Sequence, residues 1–260
     1  MTNPCIFCGD DSRSLTDEHV FATWISDLFS SHPTGVAQLI DAEGRIQQWA
    51  QVPFQQKVKV VCSSCNNGWM ADLEQKAKPM LTPMLRGHRC EVRPRTQKLL
   101  AFWAVKTVLI IDHLQPKARV VPEKEYGAVY RARSPLPTHL VWFGHRTVPR
   151  EQTGDLLGAT IKQPITHLDV EPGLEKRILQ WASAGRRMYR ITFGIGNLVV
   201  QVFGHDFPTK LHVDLPLQSR QLVRCVWPVT GRFTWPPPRS LDEIGGLDGL
   251  HHAFDQPPTA

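Results

Sequence analysis

Cys5-Ile6-Phe7-Cys8 and Cys62-Ser63-Ser64-Cys65 are the two stretches of sequence from which the fold can be worked out. Each Cys-x-x-Cys pair places two thiols at the spacing of metal ligands, and two such pairs complete a tetrahedral four-sulfur site. The sequence therefore predicts a structural Zn2+ ion bound by Cys5, Cys8, Cys62 and Cys65. A closed site leaves no position for water or substrate, so this metal should hold the fold and take no part in chemistry. Disulfides or a redox-active pair are the alternatives.

The residues between and after the cysteine pairs predict a short series of elements. Residues 14–23 begin as a strand, and residues 57–61 alternate polar with apolar side chains, which is typical of a second strand. The long gap between these strands predicts an inserted β segment at about residues 32–51. Apolar residues at helical spacing follow Cys65, so we expect a helix that opens at Asn66 and ends at Pro79.

Two segments within this region resemble the HNH nuclease family, also called ββα-metal, in its form with a treble-clef-like zinc site. They are Leu15-Thr16-Asp17-Glu18-His19-Val20-Phe21 and Cys62-Ser63-Ser64-Cys65-Asn66-Asn67-Gly68-Trp69. They look most like a bacterial subgroup marked by an EHV segment and a CNNGW segment. The resemblance covers residues 4–79, under a third of the chain. It implies an N-terminal zinc-bound ββα-metal module and a phosphodiester-hydrolysing enzyme.

The resemblance also implies a role for individual residues. His19 would be the general base that takes a proton from the attacking water, which suits a side chain whose pKa lies near neutrality. Glu18 and Asn66 would bind one catalytic divalent cation through oxygen, with Asn67 as a further candidate ligand. Oxygen ligands favour Mg2+ or Mn2+, so we expect two metals with different roles. Asp17 is the alternative to Glu18 as the acidic ligand.

Three positions depart from the family's usual pattern. Lys57 stands where an Asn usually helps to orient the base histidine, Ala22 replaces a proline, and the motif ends in Asn66 where many members have His. Simpler interpretations also exist for these residues. Asn66 or Asn67 could cap the helix, and Glu18 could be a solvated strand residue.

The remainder of the chain predicts a larger α+β domain. We divide the chain into a zinc-containing nuclease-like module at residues 1–90 and a basic domain at residues 91–260, whose tail from about residue 245 should be loose. Helices are expected at residues 96–113 and 123–131. Strands are expected at residues 139–143, 189–193, 198–203 and 222–227, with a hairpin turn at residues 194–197.

Positive charge is concentrated in the C-terminal part of the sequence. The net charge is +6, and residues 1–90 carry eight Lys or Arg against nine Asp or Glu. Basic clusters suit a polyanion such as nucleic acid, although a solvated surface would have the same composition. The clusters are Arg93, Arg95 and Lys98; Arg131 and Arg133; and Lys176, Arg177, Arg186, Arg187 and Arg190. Among these, Arg93, Arg95, Lys98, Arg186 and Arg187 are the predicted nucleic-acid-binding residues.

The sequence thus predicts a metal-dependent endonuclease acting on double-stranded DNA, in phage defence or in a mobile element. The alternatives are a catalytically inactive zinc-stabilised nucleic-acid-binding module and an RNA-directed nuclease. No signal segment precedes the first cysteine pair, so we expect a cytoplasmic protein. Residues 99–114 are too short and too charged for a membrane span and predict a buried helix. The oligomeric state is left open, with a homodimer among the options.

Overall fold

The computed structural model describes residues 3–29, 35–40, 46–51, 54–147, 160–164, 172–209, 211, 217–246 and 250. Helices and strands are mixed along the chain, which confirms the predicted α+β class. The strands are β1 (Leu15–His19), β2 (Gly35–Ile40), β3 (Ile46–Gln51), β4 (Lys57–Cys62), β5 (Cys90–Val92), β6 (His139–His145), β7 (Thr160–Pro164), β8 (Met188–Ile195), β9 (Leu198–His205), β10 (Val223–Trp227) and β11 (Phe233–Trp235). The helices are α1 (Thr23–Leu28), α2 (Ser63–Cys65), α3 (Ala71–Leu85), α4 (Pro94–Ile111), α5 (Glu123–Ala132), α6 (Pro172–Ser183) and α7 (Leu217–Leu222).

The segment around the cysteine pairs has the predicted order of two strands and a helix. β1 and β4 form a two-stranded antiparallel sheet, and α2 begins directly after β4. A π-helical turn, Asn66–Met70, then joins α2 to α3. Gly68 has a non-helical backbone within this turn, so the chain bends between α2 and α3. Such π-helical turns often occur at functional sites.

The inserted β segment forms the antiparallel hairpin of β2 and β3. This hairpin extends a seven-stranded sheet that is otherwise built from the C-terminal half, in the order β10-β6-β9-β8-β7-β2-β3. The connection is a short parallel pairing, in which Leu39 lies opposite Thr160 and Ile40 opposite Ile161. The other pairings in the sheet are antiparallel. The insertion therefore contributes strands to the C-terminal sheet.

Helix α4 occupies the centre of the molecule, as its apolar sequence predicts. Every residue from Leu100 to Ile111 is buried, because α4 packs against α3 on one side and against β6, β9 and β10 on another. A 3-10 turn, Asp112–Leu114, continues the helix, close to the predicted end at residue 113. Among the described helices, none has both the length and the apolar character that crossing a membrane requires.

One continuous core joins the two predicted domains. It includes Phe7 and Cys65 from the N-terminal part together with Val200 and Trp235 from the C-terminal part. The boundary at residues 90/91 stays a prediction, since side chains from both sides of it pack into the same core. Residues 247–249 and 251–260 of the predicted tail lie outside the described residues.

The prediction that the helix ends at Pro79 is wrong. Helix α3 continues through Pro79 and Pro83 to Leu85. A proline inside a helix leaves the carbonyl four residues earlier without its usual partner, but Gln75 and Pro79 are both exposed, so water can satisfy that carbonyl. The buried residues of the last turns, among them Leu81 and Leu85, hold the helix against the core.

The turn between β8 and β9 docks against the end of α3. The backbone N–H of Asn197 donates to the carbonyl oxygen of Leu85 at 3.0 Å. Gly196 has a φ of +51°, and a β-carbon there would lie 2.6 Å from the Leu85 carbonyl oxygen and 2.8 Å from the Phe29 ring. The turn therefore requires glycine both for its backbone conformation and for its close approach to the helix.

Replacing Gly196 with alanine tests this docking. Gly196→Ala should lower the free energy of unfolding by about 2–4 kcal/mol, because it combines a left-handed backbone with overpacking. Gly185→Ala is the matched control, since Gly185 has a φ of +78° but open space around its β-carbon position. Urea denaturation of both variants should show the larger loss at Gly196. Equal losses would mean that the turn does not press on α3.

Candidate functional site

The four predicted zinc ligands come together in the structure. The Sγ atoms of Cys5, Cys8, Cys62 and Cys65 all lie within 4.8 Å of one another. Within the described residues, they are the only group of three or more His, Cys, Asp or Glu side chains placed to share a metal ion. The sequence prediction of a four-cysteine cluster is therefore confirmed.

The geometry of this cluster fits a metal ion and excludes disulfides. Four thiolates at 2.3 Å from a central zinc ion would lie roughly 3.8 Å apart, whereas disulfide sulfurs lie about 2.0 Å apart. The Cys8 and Cys62 sulfurs are 3.6 Å apart, and all the cysteines are free. The first pair sits in a tight turn in which the N–H of Gly9 donates to the Cys5 carbonyl oxygen at 2.9 Å, with a φ of +73° at Gly9.

The electrostatics of the cluster favour a cation. Burial raises the pKa of the Cys65 thiol and, to a smaller extent, that of Cys8. For Cys5, burial acts in the same direction, but backbone hydrogen bonds from Cys8, Cys62 and Phe7 outweigh it and lower the pKa. Several thiolates cannot share so small a space without a positive charge between them. A structural zinc ion would supply that charge, and the four cysteines present fit it.

Strand β1 presents Glu18 and His19 on different sides. Thr16 pairs with Val61 and Glu18 pairs with Val58, so β4 has one extra residue between these two positions. Glu18 is buried with 7% of its surface exposed, while His19 is only partly buried. The structure thus directs the carboxylate inward and leaves the imidazole nearer to solvent.

The environment of His19 keeps its imidazole neutral. Burial lowers the pKa of His19 from its ordinary value of 6.5, Lys57 lowers it further, and Asp17 opposes the shift. The register places Lys57 directly opposite His19. Lys57, one of the three positions that depart from the HNH pattern, is therefore paired with the predicted base. A neutral imidazole at pH 7 can accept a proton.

Glu18 faces a buried ion pair that the sequence analysis did not identify. The Lys106 ammonium contacts the Glu74 carboxylate at 2.5 Å, and the Trp103 indole N–H donates to the same carboxylate at 3.1 Å. The Lys106 side chain is 1% exposed. Burial raises the pKa of Glu18 to about 7, an effect that Lys106 opposes and Glu74 reinforces. The charge of Lys106 within an apolar helix was the available signal, because a buried ammonium requires a partner.

Asn66 contacts β1 and does not act as a helix cap. Its Nδ2 donates to Thr16 Oγ1 at 3.0 Å, and Thr16 Oγ1 donates to the Val61 carbonyl oxygen at 3.0 Å. Thr16 lies two residues before Glu18 and so faces the same side of the strand. No side-chain hydrogen bond caps α2 or the π-helical turn, which removes the capping interpretation for Asn66. Asn67 is exposed.

The predicted nucleic-acid-binding residues are mostly at the surface. Arg93, Arg95, Lys98 and Arg187 are exposed, and Arg93 is paired with Glu91 at 2.9 Å. Arg186 donates to the Asp206 carbonyl oxygen at 2.5 Å. The inclusion of Arg190 in a surface cluster is wrong, since it is 5% exposed on β8, a strand whose residues are all buried.

Arg187 lines a shallow cavity of about 480 Å3 together with Arg119 and Lys124. Two carboxylates, Glu123 and Asp206, lie at the same cavity. Lys124 is paired with Asp206 at 2.9 Å, and Arg119 lies 3.7 Å from the buried Asp112. The positive charges that line the cavity are thus largely compensated by carboxylates of the protein. The cavity should therefore bind an anion less tightly than its three cations alone suggest.

A second buried polar network lies beneath the large sheet. Glu125 contacts His139 Nε2 at 2.5 Å and accepts a hydrogen bond from the Tyr189 hydroxyl. All three residues are buried, and burial together with Glu125 raises the pKa of Tyr189 well above its ordinary value. Burial also lowers the pKa of the nearby His205 to about 4. These buried side chains link α5 to β6 and β8.

Comparison of the chain with protein-family models, with curated proteins and with solved structures finds no match. The interpretation of the site therefore depends on its own geometry and on the motif resemblance.

Loss of one sulfur tests the metal centre. Cys62→Ser should release zinc and lower the melting temperature by roughly 10 °C or more, because a closed site has no spare ligand. Cys225→Ser is the control, since Cys225 lies outside the cluster. The zinc content of both purified proteins is measured by mass spectrometry. Full zinc content in Cys62→Ser would contradict the four-sulfur site.

The burial of Glu18 predicts a dependence of stability on pH. A carboxyl whose folded pKa is raised from 4.5 to about 7 favours the folded state when protonated, so its contribution is lost as pH rises through that range. Glu18→Gln should therefore be more stable than the parent protein at pH 8, by about 1–3 kcal/mol, and close to it at pH 4.5. Urea denaturation without added divalent cation measures the difference. An equal difference at both pH values would exclude titration of Glu18 in this range.

Proposed function

We propose that the protein is a metal-dependent HNH-type endonuclease that hydrolyses phosphodiester bonds of double-stranded DNA. The observation that carries the proposal is the four-sulfur cluster, which brings the first cysteine turn against residues 62–65, between β4 and the π-helical turn that begins at Asn66. Asn66 is hydrogen-bonded to the strand that bears Glu18 and His19. This arrangement of hairpin, zinc site and helix agrees with what the motif resemblance implies. A setting in phage defence or a mobile element is an analogy only.

The donor groups at this site suit a second, oxygen-binding cation. Glu18 offers carboxylate oxygens, and Asn66 offers an amide oxygen while its nitrogen is bound to Thr16. Glu18 and Glu74 together carry two negative charges when ionised, against the single positive charge of Lys106. Glu18 and Asn66 would hold a Mg2+ or Mn2+ ion, which would supply electrostatic stabilisation of the charge that develops on the phosphate and the departing oxygen.

His19 performs the proton transfer in the proposed reaction. Its neutral imidazole nitrogen accepts a proton from the attacking water. The water oxygen then bonds to phosphorus while the bond from phosphorus to the 3′ oxygen breaks, and that oxygen takes a proton from solvent. The products are 5′-phosphate and 3′-hydroxyl ends. The partial exposure of His19 lets a polymer approach it, whereas the buried histidines 139 and 205 are out of reach.

A second candidate function is nucleic-acid binding without cleavage. Two observations favour it: Lys57 lies opposite His19 where an Asn is usual, and Glu18 lies beside the ammonium of Lys106. An ammonium near each key residue competes electrostatically with a divalent cation. Binding of DNA without turnover at any divalent ion would select this function.

Removal of the base tests the proposed chemistry. His19→Ala should lower the rate of plasmid nicking in Mg2+ or Mn2+ by a factor of about 100 or more, the usual contribution of a general base. His88→Ala is the control, because His88 is an exposed histidine near the end of α3. Gel electrophoresis of supercoiled plasmid measures the rates. Undiminished nicking by His19→Ala would remove His19 from the mechanism.

The same assay separates the substrate classes. Parallel digests of double-stranded DNA, single-stranded DNA and RNA use one enzyme preparation and one metal. Preference for RNA would replace the DNA-directed proposal with the RNA-directed one, and the role of His19 would be unchanged.

A further inference from the structure

The tryptophan of the CNNGW segment is held in a group of aromatic rings. Trp69 stacks on Phe102 of α4, with ring centroids 5.6 Å apart and planes inclined by 13°. Phe7, from the first cysteine turn, meets Trp69 edge-on at 5.1 Å, and Tyr130 of α5 lies 6.3 Å away. These contacts fix the position of the Trp69 ring, two residues after Asn67.

Arg133 lies over this aromatic group. Its guanidinium carbon is 4.7 Å from the centroid of the Trp69 ring and 4.1 Å from that of Tyr130. The residue is exposed, and within the described part of the chain its guanidinium has no ion pair with a carboxylate. This distinguishes it from Arg93, Arg232 and Arg239, each of which is paired with a glutamate.

Stacking leaves the hydrogen-bonding capacity of an arginine intact. A cation over an aromatic ring uses the face of the guanidinium plane, whereas its N–H groups point outward within that plane. Phosphate oxygens match this forked arrangement of donors. Arg133 is therefore both positioned and free to bind an anion at the surface beside the π-helical turn.

The backbone conformation of Arg133 indicates that its side chain, and not the turn, is the reason for an arginine at this position. Arg133 follows α5 with a φ of 48°, a left-handed conformation that glycine or asparagine adopts more easily. Arginine here costs conformational free energy, which the stacking on Trp69 and Tyr130 offsets. Arg133→Asn is therefore a suitable test substitution, because asparagine removes the positive charge and adopts the left-handed backbone conformation more easily than arginine.

We propose that Arg133, stacked on Trp69 and Tyr130, binds a backbone phosphate of the DNA that enters the site formed by His19, Glu18 and Asn66. This inference rests on the proposed function and deepens it by naming a substrate-binding residue. Trp69, on which Arg133 stacks, is three residues from Asn66 in the same π-helical turn. Arg133 is a binding residue and takes no part in proton transfer.

The test measures DNA binding apart from cleavage. Each variant is made in full-length His19→Ala protein, and binding to a fluorescent DNA duplex is followed by anisotropy over a range of salt concentrations without added divalent cation. Arg133→Asn should weaken binding roughly three- to tenfold and reduce the salt slope by about one. Arg133→Lys should fall between the two, because it keeps the charge and loses the planar fork. Arg232→Asn is the matched control, as it removes an exposed arginine already paired with Glu91 at 3.5 Å.

The outcomes are distinguishable. Weaker binding and a smaller salt slope for Arg133→Asn, with Arg232→Asn unchanged and both melting temperatures close to that of the parent, support the proposal. Equal binding by Arg133→Asn and its parent overturns it while the proposed function stands. If the parent protein binds no duplex under any salt condition tested, the proposed function and this inference both fail. If the protein binds RNA but no DNA, and Arg133→Asn weakens that binding, the phosphate contact stands but DNA is overturned as the source of the phosphate.

Discussion

Four sulfur atoms hold together two segments that are more than fifty residues apart, and the N-terminal half of the molecule depends on that contact. The first cysteine turn is also anchored by a hydrogen bond from the Ile6 N–H to the Val60 carbonyl oxygen and by the packing of Phe7 in the core. The sulfurs repel one another when ionised, so the assembled cluster requires a cation. A metal ion bound by all four sulfurs would couple metal binding to the folding of this region. The cluster also positions Asn66, which directly follows Cys65, and thus the place where the helical segment contacts β1.

Local sequence patterns predicted the elements well. The spacing of the cysteines predicted the cluster, and alternating or helical apolar patterns predicted β4, α4, α5 and the β8–β9 hairpin close to their observed bounds. Long-range partners were not accessible in this way. Nothing in the pattern of residues 35–40 specifies β7 as the neighbour of β2. Pro79 led to a wrong prediction of a helix end, because its exposure to solvent, which lets the helix continue, depends on tertiary packing.

The candidate site shows the same limit. Glu18, His19 and Asn66 were predicted as site residues from the motif resemblance. The ion pair of Lys106 and Glu74 was not predicted, because the two residues are on different helices. That pair changes the chemistry expected of Glu18. A carboxylate beside a fixed ammonium is already partly neutralised, which weakens its attraction for a divalent ion. The competition between Lys106 and a metal ion for Glu18 is what separates the two candidate functions.

The hairpin of β2 and β3 interrupts the segment that contains the cysteine cluster, yet it is hydrogen-bonded to β7, more than a hundred residues farther on. The region of resemblance is therefore not structurally independent of the rest of the chain. Without the rest of the chain, this region would have a hairpin whose β2 edge lacks its hydrogen-bonding partner β7. Its helix α3 would also lack the packing contacts with α4.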